Sequence, residues 1–162
     1  MKETVAISAE ERWEILGGVS NLQLAYFLFR FTLGVNIFFH GFMRIATGLT
    51  AWVMLQGEPF AKSPLPMWSV HAFLYVLPFI EVILGTLTTL GLYTRWALLG
   101  GSVMMFILVF GNDMRQDWGT VGNNMHYVLY YVRMIAGLRF DCFALDTRRD
   151  VGSLRGAATQ VA

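Results

Sequence analysis

The sequence predicts an all-α integral membrane protein: an up-down four-helix transmembrane bundle with a short N-terminal interfacial helix. Of the 162 residues, 56% are hydrophobic and only 14% are charged, and the mean hydropathy is +0.52. Soluble domains have about 25% charged residues, so this chain has too little polar surface for a soluble particle. The charges also gather near the ends, with six of the 23 in residues 2–14 and seven in 139–155. The middle is therefore very apolar.

Residues 1–20 are expected to form a cytoplasmic N-terminal segment. Within it, SAEERWEILGG has the pattern of a short surface helix that Gly17 and Gly18 end. Trp13 is suited to the membrane interface, where its ring can lie at headgroup level. This segment gives the predicted interfacial helix.

Four apolar segments follow, near residues 21–46, 68–91, 94–112 and 122–140. Each reaches roughly 18 residues, enough to cross about 30 Å of hydrocarbon. Ser20 followed by Gln23 fits a capping box at the start of the first segment. Gly91 and Thr94 mark a very short turn between the second and third. Short connections favour antiparallel neighbours, so the sequence predicts an up-down membrane domain over 21–141.

The loop at residues 47–67 is long for so small a bundle. It contains the apolar run TAWVMLQ and then Pro64 and Pro66. Loops of this length are usually functional or carry structure of their own. We expect it to fold over one end of the bundle.

Lysine and arginine in the flanks predict the orientation. Seven flank one side of the predicted spans and three flank the other, and the richer side normally faces the cytoplasm. We therefore expect a multi-pass protein of the inner (cytoplasmic) membrane with both termini in the cytoplasm. Residues 142–162 are predicted to be a flexible cytoplasmic tail whose basic residues attract anionic lipid.

The first segment, RFTLGVNIFFHGFMR, has two distinct faces at 100° per residue. Arg30, Gly34, Gly41 and Arg44 share one side, with His40 at its margin. The opposite side holds Phe27, Phe31, Phe38, Phe39 and Phe42. The first side is expected to face the bundle interior, where small residues allow close helix approach.

Three ionisable residues lie at similar estimated depths on three helices. A rise of about 1.5 Å per residue places Arg30 and Arg133 roughly 12 Å from the cytoplasmic ends, with Glu81 a little further in. An unpaired charge there would cost several kcal/mol, so the sequence predicts an Arg30–Glu81–Arg133 cluster. Such a cluster could be a structural clasp or a functional site.

A second polar layer is expected near the outward ends of the spans. It contains His40, Arg44, His71, His126, Trp68, Trp118, Asn123 and Asn124. Histidine can move protons near neutral pH, and arginine can hold an anion through a fork of donors. The alternative is an interfacial anchor. The histidines lack the tight spacing of metal ligands, so no metal site is predicted, and a net charge of +1 suggests no nucleic-acid partner.

Two stretches resemble signatures of the DoxX/DoxD family of membrane proteins. RFTLGVNIFFHGFMR (30–44) is similar to the first, which has an arginine, a glycine and an HG-x-x-K/R element. LPFIEVILGTLTTLGLYTRWALLGG (77–101) is similar to the second, with its proline, glutamate, glycines and following arginine. The resemblance covers about residues 20–145. The family's motif residues correspond to Arg30, His40, Arg44, Glu81 and Arg95.

The resemblance implies a four-helix bundle that acts as a quinone-linked membrane redox subunit. It points to electron transfer from a small anionic reductant, such as thiosulfate, to membrane quinone, with an extracytoplasmic protein partner. Glu81 and His40 are then the expected catalytic residues. Among the residues expected to bind substrate or quinone, Arg30 and Arg44 match the motifs. The others, His126, Arg133 and Trp118, are expected there from their positions along the helices and not from the resemblance. The chain has no haem, flavin or metal motif, so electrons would pass directly or come from the partner.

Two other classes of function remain open at this point. One is a non-catalytic accessory or anchoring subunit of a larger respiratory membrane complex. The other is a small transporter or channel, although nothing in the sequence resembles an inverted repeat or paired broken helices.

Overall fold

Helices account for most of the chain in the computed structural model, which describes residues 12–13 and 18–147. Five α-helices lie wholly within these residues: α1 (Asn21–Ala46), α2 (Leu49–Gly57), α3 (Met67–Leu90), α4 (Thr94–Met114) and α5 (Trp118–Ala136). Short 3-10 helices cover Glu58–Lys62 and Leu138–Phe140. Two strands of two residues, β1 (Arg12–Trp13) and β2 (Val19–Ser20), pair antiparallel. The part of the chain described is therefore mostly helical, as predicted, apart from this short strand pair.

Three of these helices are long and apolar enough to cross a membrane: α1 with 26 residues, α3 with 24 and α4 with 21. They indicate a multi-pass membrane protein. The fourth long helix, α5, has 19 residues and does not meet the same apolar standard. Its polar residues explain the difference, because Asn123, Asn124, His126 and Arg133 fall within it.

Glycines bring α1 and α3 into close antiparallel contact. A Cβ placed on Gly41 would lie 2.3 Å from the carbonyl oxygen of Pro78, and one on Gly85 would lie 2.4 Å from the backbone nitrogen of Phe38. Neither space can hold a side chain, since real Cβ atoms do not approach other atoms so closely. The predicted interior face of α1 is therefore confirmed, with Arg30 and Ile37 buried along it as well.

The other long helices, α4 and α5, pack around this pair. The turn between α3 and α4 uses Gly91 in the left-handed region, with φ of 68°. Helix α5 returns to α1, where the hydroxyl of Tyr26 donates to the carbonyl oxygen of Met134 at 3.1 Å. Further along, the hydroxyl of Tyr127 donates to Oδ1 of Asn36 at 2.9 Å. These contacts run in opposite directions along the two helices, so α1 and α5 are antiparallel.

The start of α1 agrees with its sequence pattern, whereas the bounds of α5 differ from the predicted ones. Ser20 and Gln23 form the predicted capping box, with each side chain accepting from the other residue's backbone N–H. Helix α5 begins and ends about four residues earlier than the predicted 122–140. Asp117 caps it by accepting from the backbone N–H of Thr120 at 3.1 Å. The helix therefore begins directly after the short turn that follows α4.

The N-terminal segment differs from its prediction where it is described. Arg12 and Trp13 are extended and pair with β2, so the predicted interfacial helix does not include these two residues. The rest of that predicted helix lies outside the described residues, apart from Gly18.

The predicted flexible tail from residue 142 is wrong for residues 142–147. Ala144 is buried, and the ring of Phe143 packs 5.1 Å from that of Phe27. The carboxylate of Asp146 accepts from the backbone N–H of Thr94 at 2.8 Å, and the backbone N–H of Asp146 donates to Gly91. The first N–H groups of a helix have no acceptor within the helix. The Asp146 carboxylate supplies one at the start of α4, and this contact helps to hold the segment in place. Residues 148–162 lie outside the description.

Removing the Asp146 carboxylate should weaken the start of α4. We expect Asp146→Ala to lower the free energy of unfolding by about 1 kcal/mol, the usual cost of losing an N-terminal cap. Asp146→Asn keeps an acceptor oxygen and should lose less. Thermal unfolding in detergent compares them, and an Asp146→Ala protein as stable as the wild type would contradict the docked tail.

Candidate functional site

A buried ion pair joins the last turn of α1 to the middle of α3. Nη1 of Arg44 donates to both carboxylate oxygens of Glu81, at 2.6 Å and 2.5 Å. The Glu81 side chain is only 4% exposed and that of Arg44 is 24% exposed. The guanidinium also lies against the ring of Trp52 on α2, 4.6 Å from its centre. Glu81 is thus held deep in the bundle, and Arg44 reaches it from a more open position.

The predicted Arg30–Glu81–Arg133 cluster is wrong. Glu81 pairs with Arg44, Arg30 pairs with Asp141, and Arg133 is exposed. The depth estimate assumed that the helices start level, whereas Gly41 lies against Glu81. Glu81 is therefore level with a point roughly 16 Å further along α1 than Arg30.

Arg30 instead fastens the opposite end of the bundle. It is 1% exposed, and its Nη1 donates to the carbonyl oxygens of Thr88 and Thr89 at 2.6 Å and 3.0 Å. Its Nε lies 3.2 Å from Oδ1 of Asp141. Burial raises the pKa of Asp141, and the Arg30 charge opposes that shift. Arg30 thus satisfies the last carbonyls of α3 and holds the segment after α5.

A polar cavity opens beside the Arg44–Glu81 pair, mainly between α1 and α5. This α1–α5 cavity has a volume of 510 Å³. Its chemically active lining residues are His40, Arg44, Glu81, His126, Tyr127 and Tyr130. A more open cavity of 330 Å³ adjoins it at His40 and Arg44 and is also lined by Asn36, Phe39 and Met43. Four of the residues predicted from the sequence, namely His40, Arg44, Glu81 and His126, thus meet in one space.

A second cavity lies beneath α2 and the 3-10 helix that follows it, so this stretch of the 47–67 loop covers one end of the bundle as expected. This α2 chamber has a volume of 370 Å³. Its walls are mostly apolar residues of α3 and α4, such as Phe73, Leu77 and Phe110. Its polar lining consists of Arg44, Gln56, Ser69, Asn112, Arg115, Thr120 and Asn124. Arg44, Leu108 and Asn124 line both cavities, so the two spaces adjoin at the ion pair.

Other predicted site residues lie away from these spaces. Trp118 is 67% exposed and, like Arg30 and Arg133, lines none of these three cavities. His71 packs under α2, where a Cβ on Gly57 would lie 2.8 Å from its Nε2. The predicted outer layer is therefore split, with His40, Arg44 and His126 separated from His71 and Trp118.

Sequence reasoning missed several residues that build the site. Tyr127 and Tyr130 line the α1–α5 cavity, and the Tyr127 ring lies 6.5 Å from that of His40. Their spacing of three residues places them on one helical face with Asn123, which was a usable signal. Trp52 and Gln56 on α2 are four residues apart and both line the chamber. The same periodicity within TAWVMLQ would have indicated an inward face.

The geometry brings together groups that can bind a polar oxygen and exchange protons. Within residues 18–147, both hydrogen bonds of Arg44 leave from Nη1, so Nε and Nη2 are available as donors. His40 and Glu81 can each take or give a proton. Aromatic rings of Tyr127 and Tyr130 supply flat apolar surface beside them.

Comparison with known proteins adds no constraint, because no protein-family model, curated protein or solved structure matches the chain.

Proposed function

We propose that this chain is a DoxX-like, four-span membrane protein that serves as a quinone-linked redox subunit. It would pass electrons from a small anionic reductant, such as thiosulfate, to membrane quinone. The observation that carries this proposal is the Arg44–Glu81 ion pair in the wall of the α1–α5 cavity. Ionisable groups within a membrane protein are costly, and they usually mark a functional path.

In this proposal α5 is the fourth span. It packs against α4 and is hydrogen-bonded to α1. Asn124 and His126 turn toward the α1–α5 cavity, which gives polar residues a reason to lie within a span. Arg133 is less than one turn from the end of α5, so its long side chain can reach the interface.

We further propose that both termini face the cytoplasm, as the flanking charges favour. Both cavities lie toward the C-terminal ends of α1 and α4, and their lining on α3 and α5 runs from the N-terminal turns as far as Glu81 and Tyr130. That end of the bundle would then be the outward one. A soluble reductant could approach from outside, and quinone could enter sideways from lipid between α1 and α5.

The α1–α5 cavity has a suitable size and chemistry for a quinone headgroup. Its 510 Å³ falls within the range of about 300–1,000 Å³ usual for small-molecule sites. Tyr127 and Tyr130 can flank a flat ring, and the free donors of Arg44 can hold a carbonyl oxygen. When bound, a quinone supplies an acceptor for two electrons and two protons.

The residues of this chain would then bind, orient and supply protons. Arg44 holds the carbonyl oxygen, and His40 donates a proton toward it. Glu81, held by Arg44, serves as the inner proton carrier. On the donor side, two thiosulfate ions that join through an S–S bond would release the two electrons required.

Glu81→Gln tests this proposal with little change in shape. Loss of the proton carrier should lower quinone reduction by roughly 10²-fold, a typical contribution of a general acid or base, while quinone stays bound. The assay uses protein in lipid nanodiscs, alone and with its co-purifying partners, and measures quinone binding and thiosulfate-dependent quinone reduction. Arg139→Gln, at an exposed position in the 3-10 helix after α5, is the matched control.

Two outcomes would count against the proposal. One is a protein that binds no quinone and reduces none, with or without its partners. The other is a co-purified respiratory complex whose rates are unchanged by Glu81→Gln, which would favour the accessory-subunit function instead.

A further inference from the structure

The α2 chamber contains two guanidinium groups and no acidic group. Arg44 and Arg115 both line it, whereas no aspartate or glutamate is found among the described residues of its wall. Each arginine lies under an aromatic ring of the covering segment. Arg44 is 4.6 Å from the ring centre of Trp52, and Arg115 is 5.0 Å from that of Phe60. The covering segment thus partly shields both cations from solvent.

Arg115 has a hydrogen-bond donor that nothing in the described protein uses. Its Nε is buried and has no hydrogen-bond partner there. Its Nη2 pairs with Asp117, but that carboxylate is already engaged by the backbone N–H and hydroxyl of Thr120. A buried charged donor without an acceptor costs free energy, so an acceptor in the chamber would stabilise this arrangement.

Neutral donors from other elements surround the same space. Gln56 comes from α2 and Asn124 from α5, and Asn112 of α4 has one amide hydrogen beyond the one that it donates to the carbonyl oxygen of Leu108. Ser69 and Thr120 also line it, but their hydroxyls are donated within the protein. The other walls are apolar, and low polarity strengthens attraction between charges. An acceptor that carries several oxygens and a negative charge matches this set better than a neutral one.

We propose that the α2 chamber is a binding site for an oxyanion, held by Arg115 with help from Arg44 and the surrounding amides. A small sulfur or phosphorus oxyanion and the phosphate of an anionic lipid share this chemistry. The site is separate from the α1–α5 cavity and its test needs no quinone. Because Arg44 lines both spaces, an anion in the chamber lies next to the proposed quinone site.

The test begins with the wild-type protein in nanodiscs of neutral lipid. Thiosulfate and sulfate are titrated at constant ionic strength against chloride, and binding is followed by calorimetry and by thermal unfolding. A parallel arm measures anionic phospholipid retained after purification by native mass spectrometry. We expect saturable binding in one arm, which identifies the source of the oxyanion.

Variants then place the site. Arg115→Gln should weaken binding at least tenfold in the arm that shows it, and Arg115→Lys should weaken it less because the charge is kept. Arg139→Gln, at an exposed position outside the chamber, is the control and should bind as the wild type does. Unfolding without ligand shows which variants remain folded, and the wild-type titration needs no variant at all.

The results separate this site from the proposed function. Glu81→Gln should leave oxyanion binding intact, and Arg115→Gln should leave quinone binding intact. The oxyanion proposal is overturned if the wild type binds in neither arm, or if Arg115→Gln and Arg115→Lys both bind with unchanged affinity.

Discussion

Replacing Gly85 by alanine is expected to destabilise the protein by about 3 kcal/mol, the upper part of the usual range for overpacking. The added Cβ would lie 2.4 Å from the nitrogen and 2.6 Å from the Cα of Phe38, and 2.9 Å from the carbonyl oxygen of Gly34. All three atoms are backbone, so no side-chain rotation can make room. The helices α1 and α3 would have to move apart.

The measurement is unfolding in detergent, with Gly122→Ala as the matched control. Gly122 is also helical, but a Cβ there meets nothing within 4 Å. Alanine at that position should leave stability unchanged or raise it by up to about 1 kcal/mol, because alanine favours helix. Equal effects of the two substitutions would show that α1 and α3 are not in the described contact.

Separation of α1 and α3 would also affect the proposed site. Gly41 packs against Glu81, and Arg44 follows one turn later on the same face of α1. Nη1 of Arg44 lies 2.6 Å and 2.5 Å from the two carboxylate oxygens of Glu81. A shift of the helices would change these distances. Gly85→Ala should therefore reduce quinone reduction as well as stability, if the protein folds.

The inward face of α1 was predictable because helical periodicity is a local property. Arg30, Gly34, Ile37 and Gly41 recur at three- and four-residue intervals, and all four are buried. Glu81, which the sequence predicted to lie in a charged cluster inside the bundle, is likewise buried. Local patterns thus identified which side chains point inward.

Partners across helices were not predictable from the same patterns. Pairing depends on the axial offset between helices, and α1 extends past the end of α3. Because of this offset, Glu81 pairs with Arg44 and Arg30 pairs with Asp141. The sequence had predicted instead that Glu81 and Arg30 pair with each other. The spacing within one helix contains no information on this offset.

The segment after α5 was missed for a related reason. The contacts of Asp146 with Thr94 and of Asp141 with Arg30 join residues far apart in sequence. Its own composition, short and partly charged, resembles that of a solvated tail. The α2 chamber was missed likewise, since Arg115 and Phe60 meet only when the 47–67 loop folds over the bundle.

Removing the Arg30 side chain should lower the free energy of unfolding more than removing an exposed charged side chain does. Arg30→Met leaves the buried carboxylate of Asp141 and the carbonyl oxygens of Thr88 and Thr89 without their donor. Breaking one side of a buried ion pair typically costs about 3–5 kcal/mol. We expect a loss of that size in detergent unfolding, whereas Arg133→Met, at an exposed position, should change little.

The loss should depend on pH in a direction that identifies Asp141 as its cause. Burial already raises the pKa of Asp141, and the Arg30 charge opposes the shift, so its removal should raise that pKa further. A carboxyl with a raised pKa in the folded state stabilises the fold while protonated, and this contribution is lost as the pH rises through that pKa. The deficit of Arg30→Met should therefore be largest near neutral pH and shrink on acidification. Asp141→Leu in the same chain should restore stability near neutral pH and remove the pH dependence, since an apolar pair can replace a buried ion pair; a deficit that stayed constant with pH would assign it to the α3 carbonyls instead.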